Sequence, residues 1–372
     1  MKDLRINKLA HMLVNYSVSV KKGEKVLIEG TDAPPEILTA LIAEVYAAGG
    51  LPFVETFSPK VQRALYRGTD EKHMSLTAKY ASCRMSEMDC YIGVRGASNS
   101  YEMSDVPSDK MSIYSRAYFH PVHHELRVSK TKWVGLRYPN EAMSQLAAMS
   151  TEAFEDFYFD VCTMDYSKMD KAMDALVALM QRTDKVRLVA PETDIAFSIK
   201  GIPAVKCSGR RNIPDGEVYT APVAGSINGV IKYNTPSVSG GEKFENIKLV
   251  FEKGRIVESY GNKPDKLKAI FDTDEGARGV GEFAIGVNPY ITNPMGDILF
   301  DEKIAGSIHF TPGCCYDEAP NGNKSAVHWD LVLMMDAAHG GGEIWFDDIL
   351  IRKDGIFVIK ELECLNPENL KH

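Results

Sequence analysis

The feature that most constrains this chain is a strand, helix, strand succession near its N-terminus. Residues 24–30, EKVLIEG, hold an apolar run of the length of one buried strand. PPEILTALIAEVYAAGG (34–50) is opened by proline and closed by glycine, the punctuation of a helix, and LPFVETF (51–57) returns to strand composition. Two strands joined by a helix within ~30 residues form a βαβ unit, whose crossover makes the strands parallel.

The pattern continues through a helix over 72–88, the strands CYIGVRG (90–96) and KWVGLRYP (132–139), and helices over 141–149 and 151–160. A helix reading YSKMDKAMDALVALMQRT ends near 183, before the strand KVRLVAP. Ahead of these, Leu4, Leu9, Leu13 and the run from Tyr16 to Val18 predict a helix over 3–20 that stops at Lys21-Lys22-Gly23. From about 185 the character changes to short alternating strands separated by Gly, Asn, Asp and Pro. IKLVFEKGRIVESY and EIWFDDILIRKDGIFVI each read as a hairpin, turning at Lys253-Gly254 and Asp354-Gly355. The expectation is an α/β domain with a parallel sheet over 1–184, followed by a strand-rich α+β domain over 185–372.

Composition narrows the class of function. With 372 residues, 44% hydrophobic and 25% charged, there is apolar material for two cores. A net charge of −8 without a long basic run argues against a nucleic-acid partner. No stretch of ~18 apolar residues runs without charge, so no membrane span is expected. The N-terminus lacks an uninterrupted apolar region and a small-residue cleavage site, and seven scattered cysteines without a CxxC pair fit reduced thiols. A cytoplasmic protein is expected.

Chemistry concentrates in the second half. NIPDGEVYTAP, RGVGEFAIGVNP, GSIHFTPGCCYD and SAVHWDLV interrupt strand-like sequence, and they carry Glu217, Glu282, His309, and His328 with Asp330. On an extended chain alternate side chains share a face, so His328 and Asp330 project together and Trp329 projects oppositely. Buried carboxylates and imidazoles persist when paired or metal-bound, because an isolated ionised carboxylate is too costly to desolvate. A single Glu after Gly usually belongs to a turn, and a single strand His to a hydrogen-bonded core, so the weight lies on joint occurrence. Three carboxylates and two imidazoles suit two divalent cations sharing a hydroxide, whereas a single zinc needs only three ligands and a water.

NIPDGEVYTAP, GEFAIGVNP, DEKIAGSIHF and KSAVHWDLV resemble, in order and spacing, the signature blocks of the thermophilic-type metalloaminopeptidases, the M29 peptidases. VKKGEKVLIEG, APETDIAFSIKG and GGGEIWFDD look like further landmarks, so the resemblance covers essentially the whole chain. It implies that Glu217, Glu282, His309, His328 and Asp330 are metal ligands, that Glu282 is also a catalytic carboxylate, and that Tyr316 stands beside the metals. It further implies an aminopeptidase with two divalent metal ions (Zn, Co or Mn), acting on peptides with a free N-terminus, and a homodimer. The second domain is then the metal-binding catalytic domain. The compact stretch 310–327 between His309 and His328 is shorter than is common in the family and bears on the wall over the substrate.

Two other readings use the same residues. Relatives of these peptidases include mononuclear iron enzymes that cleave dihydroxypyridine rings, for which HxD would supply two facial ligands. A non-catalytic metal-binding protein is the third reading. HGGGE (339–343) reads as a glycine-rich turn for want of a G-x-S-x-G elbow, and GVGEFAIG lacks dinucleotide-fingerprint spacing. His123, His124 and Glu125 read as a surface cluster, and Cys314-Cys315 as packing.

Overall fold

The computed structural model describes residues 3–99, 101–239 and 241–371. Its backbone divides into two compact units, one running to Thr163 with Gly209–Ile213 added, the other comprising Met164–Ser208 and the chain from Pro214. The division thus falls earlier than 184. Helix Tyr166–Arg182 buries Tyr166, Met169, Met173, Leu176, Leu179 and Met180, and packs on the strands Val205–Cys207 and Glu217–Thr220 of the second unit. Lys206 fixes it there through the Asp170 carbonyl at 2.9 Å and Asp174 at 2.6 Å.

The first unit is the α/β fold that its βαβ pattern implies. Its five strands lie in the order Leu51–Phe57, Lys25–Thr31, Cys90–Arg95, Lys132–Arg137 and Asn212–Ile213, all parallel. The last strand is a return of the chain, with Asn212 opposite Gly135 and Ile213 opposite Leu136, which a linear reading assigns to the other domain. Leu51–Phe57 forms the open edge, and none of its residues is fully buried. Helix Pro59–Gly68 and the helical stretch from Ser108 to Val128, whose second part is a π-helix, are additional to the expected elements. The first helix also passes into a π turn, over Leu13–Ser17.

The second unit is built on two main antiparallel sheets, with a two-stranded ribbon of Ser237–Ser239 and Glu242–Phe244 in addition. The larger has eight strands in the order Arg255–Tyr260, Lys248–Glu252, Asn228–Lys232, Thr193–Ser198, Lys185–Ala190, Glu343–Phe346, Ile349–Lys353 and Ile356–Phe357. The hairpin at Lys253-Gly254 is present, with both residues at positive φ. The segment 343–359 is instead a three-strand meander with two turns. Asp347 and Asp348, at φ 46° and 68°, make the additional turn; an Asp-Asp pair lacks the glycine that usually advertises two left-handed residues. Among the described residues no helix is long and apolar enough to cross a membrane.

Candidate metal centre

The smaller sheet of the second unit has the order Val332–Met334, Ser307–Pro312, Val280–Gly286, Glu217–Thr220 and Val205–Cys207. Its pairings place Glu282 opposite Thr311, Ala284 opposite His309, Gly286 opposite Glu217, and Cys207 opposite Glu217 on the other side. Directly opposed residues of antiparallel strands share a face, and so do alternate residues of one strand. Glu217, Glu282, His309 and Thr311 therefore point the same way. The alternate set, Phe283 and Phe310 among it, packs edge-on or tilted against Phe197 and Phe251 of the larger sheet. This aromatic layer, whose members are 0 to 4% exposed, is the foundation on which the polar face is held.

His328 and Asp330 reach the same place from the neighbouring segment. The run SAVHWDLV is extended, but its ladder is a single bridge between His328 and Gly313, and regular strand begins only at Val332. At the bridge the Cys314 carbonyl accepts from the His328 ring, at 2.8 Å from Nδ1. Two glycines permit the close approach: a Cβ on Gly313 would meet the Val327 carbonyl oxygen at 2.0 Å, and one on Gly281 the Cys314 carbonyl oxygen at 2.0 Å. Trp329 faces away, packed on Phe244 and Phe271, with its indole N–H on Ser237 at 2.8 Å.

The structure thus brings the five acidic and imidazole side chains together. Glu282 Oε1 lies 3.2 Å from His309 Nε2, and Glu282 Oε2 lies 3.4 Å from His328 Nε2. Glu217 Oε2 is 3.5 Å from His309 Nε2, and Asp330 Oδ1 is 3.3 Å from His328 Nε2. Donor atoms of Glu217, Glu282 and His309 fall within 4.8 Å of one another, as do those of Glu282, His328 and Asp330. Glu282 belongs to both trios. The His123, His124 and Glu125 cluster is not among such groups in the described residues.

Charges in the centre hold one another. Burial alone would lower the His309 imidazole, but Glu217 and Glu282 outweigh it and push its pKa up to about 10. The same contest at His328, with Asp330 and Glu282 opposing burial, ends at about 11. Burial would raise Glu282, yet the two imidazoles hold it below the usual carboxylate range; Asp330 lies well below that range, with His328 overriding its burial. The carboxylates that raise the two imidazoles would attract a cation in the same place. Glu217 Oε2 and His328 Nε2 are nevertheless buried without a hydrogen-bond partner, which is the signature expected of atoms that coordinate a metal. The residues present fit one.

Tyr316 stands at the rim. The residue is 45% exposed, and its ring lies 4.7 Å from the His328 ring and 5.5 Å from the Tyr219 ring. Desolvation around its hydroxyl, then the Glu282 and Asp330 charges, raise its pKa, so it is a neutral hydrogen-bond donor. The compact stretch over 310–327 is pinned by Asn321, which donates to the Pro222 and Val280 carbonyls, and by Asn323, which donates to those of Gly276 and Gly313.

Three residues of the centre were not picked out from sequence. Thr311 donates to Asp330 Oδ1 at 2.7 Å. Glu302 brings a carboxylate within 4.8 Å of the donor atoms of His309 and Asp330; burial first, then Glu217 and Asp330, push its pKa up to about 8. Lys303 is 2% exposed and ion-paired to Glu217. The last two lie in DEKIAGSIHF, where an acidic and basic triplet reads as a solvated turn.

Carboxylates and imidazoles converging from adjacent strands, with two buried donor atoms unpartnered, define the centre of a metal-dependent enzyme. The family model described as thermophilic metalloprotease (M29) matches residues 2–350, and the chain belongs to that family of metallopeptidases. Aminopeptidase T of Thermus thermophilus is 25% identical over 379 residues, covering 88% of this chain and 92% of that protein. Aminopeptidase AmpS of Bacillus subtilis is 24% identical over 369 residues, covering 88% of each. Among solved structures, AmpT from Thermus thermophilus superposes with a TM-score of 0.80 at 20% identity, covering 96% and 99% of the two chains. The 2,5-dihydroxypyridine dioxygenase from Pseudomonas putida superposes with a TM-score of 0.62 at 14% identity, covering 96% and 98%. Both structural likenesses speak to the fold.

Proposed function

We propose that this chain is an aminopeptidase that hydrolyses the first amide bond of peptides at a two-metal centre. The observation that carries the reading is the double membership of Glu282, which joins the trio Glu217, Glu282, His309 to the trio Glu282, His328, Asp330. One trio would hold each cation, zinc, cobalt or manganese. Such ions supply Lewis-acid polarisation of the scissile carbonyl and lower the pKa of a bound water.

The chain's own groups do the rest. Glu282 is the base that accepts a proton from the attacking water and returns it to the departing amine. Tyr316 keeps its proton and donates a hydrogen bond to the oxyanion of the tetrahedral intermediate. The Phe197, Phe251, Phe283 and Phe310 layer keeps the strands that carry these groups from shifting. A homodimer in the cytoplasm is part of the same proposal.

The test is a panel of aminoacyl chromogens and their N-acetylated counterparts, offered to protein stripped with chelator and reloaded with Co²⁺, Zn²⁺ or Mn²⁺. The expected result is two metals per chain, cleavage only where the amine is free, and loss of cleavage in Glu282→Gln with folding kept. A broad panel left uncut with two metals bound would sink the proposal. The ring-cleaving reading draws on the likeness to the dioxygenase fold and requires one iron. The trio built around Glu217, which a single iron does not need, favours the peptidase.

A further inference from the structure

Glu302 and Lys303 occupy the turn after the short helix Ile298–Asp301. The Lys303 ammonium lies 2.5 Å from Glu217 Oε1, 2.6 Å from Glu302 Oε1 and 3.8 Å from Asp215 Oδ1. It is 2% exposed, so these carboxylates, and not water, compensate its charge. Cys207, Asp215 and Glu217 themselves form a group whose donor atoms lie within 4.8 Å of one another, and Lys303 supplies the positive charge beside it.

The consequence falls on Glu217, whose two oxygens are made different. Oε1 is taken by the ammonium. Oε2, buried and without a hydrogen-bond partner, is left 3.5 Å from His309 Nε2, inside the trio with Glu282. A carboxylate with both oxygens free can rotate, or grip a cation with either or both; one whose far oxygen is fixed by a buried ammonium presents a single oxygen in one direction.

We propose that Lys303 is a positioning residue: a built-in cation that locks Glu217 through Oε1 and so sets it as a one-oxygen ligand of the centre. This rests on the reading of Glu217 as a metal ligand, and the experiment separates the two. Chelator-stripped wild type, Glu217→Gln, Lys303→Met and the double variant are titrated with Co²⁺, following the visible absorption of the bound ion and the metal content after gel filtration. Lys303→Met is expected to weaken the step that Glu217→Gln weakens by about 10–100-fold, and to leave any other step within about twofold. The double variant is expected to bind no more weakly than Glu217→Gln alone.

A titration moved by Glu217→Gln but not by Lys303→Met overturns the proposal alone. One untouched by Glu217→Gln overturns the ligand reading, and the proposal with it. Should Lys303→Met fail to fold because it strands buried carboxylates, the double variant, which removes Glu217's charge as well, carries the test. It must then fold and match Glu217→Gln, and further loss of Co²⁺ binding in it would show that Lys303 acts other than through Glu217.

Discussion

Thr311 donates its hydroxyl proton to Asp330 Oδ1 at 2.7 Å, and that same oxygen faces His328 Nε2 at 3.3 Å. Thr311 is fully buried and opposite Glu282 in the ladder, so its hydroxyl is placed by the backbone and cannot turn elsewhere at low cost. A second hydrogen bond of this kind fixes which way a ligand carboxylate points. Thr311→Val keeps the shape and removes the donor. It is expected to weaken Co²⁺ binding by about tenfold, while Thr311→Ser stays close to wild type. Equal affinities for the Val and Ser variants would leave Thr311 a packing residue only.

Tyr316 is the residue whose role depends most on exposure. Its ring lies beside His328 while the residue as a whole is 45% exposed, the disposition of a group that meets a substrate. Removing one oxyanion donor typically lowers kcat by about 10²–10³-fold. Tyr316→Phe should show that loss on aminoacyl chromogens, with KM and metal content little changed. A variant that lost metal instead would place the tyrosine among the supports of His328.

Alternation along SAVHWDLV was enough to send His328 and Asp330 one way and Trp329 the other, because that rule depends on nothing but extended backbone. Likewise the βαβ punctuation around 24–57 specified a parallel sheet. Thr311, Glu302 and Lys303 were illegible for a physical reason: the candidate ligands they meet lie 19, 7 and 86 residues away, and a threonine in a strand or a charged turn has the same local pattern whether buried or solvated. The return of Gly209–Ile213 to the first sheet was hidden in the same way, since two residues suffice to make a strand only when a preformed edge receives them. DEKIAGSIHF was singled out as a block for its resemblance, but nothing in its charged triplet separates Lys303 from a solvated turn residue.

Removing metal should cost stability as well as activity. A cation that binds the folded chain and not the unfolded one stabilises it by about 2.7 kcal/mol when present at about 100 times its Kd. For a unit the size of the second, that corresponds to roughly 5–10 °C in Tm per occupied site. Chelator-treated protein is expected to melt lower by about that amount and to recover when Zn²⁺ or Co²⁺, but not K⁺, is returned. Identical melting curves with and without chelator, after metal analysis shows the site emptied, would contradict the coupling.

The π-helical stretch Ser115–Val128 supplies a pH dependence of its own. His123 stacks on Phe119 with ring centroids 4.5 Å apart, and its Nδ1 accepts from the Arg127 guanidinium at 3.2 Å. Burial first, then the charges of Arg127 and His124, push its pKa down to about 4. Arg127 is held in turn by Glu29 at 3.2 Å and by the face of the Tyr91 ring at 4.0 Å, so its charge cannot swing away when the imidazole protonates. The folded pKa lies below the unfolded value of about 6.5, so the folded state binds fewer protons in this window. Stability from this group is therefore complete above about pH 6.5, falls as pH drops toward about 4, and is lost no further below that. An NMR titration of the His123 ring should give a midpoint near 4, and His123→Phe should flatten the fall of Tm between those limits. A midpoint at the ordinary histidine value would show that the burial of the ring beside Arg127 does not persist in solution.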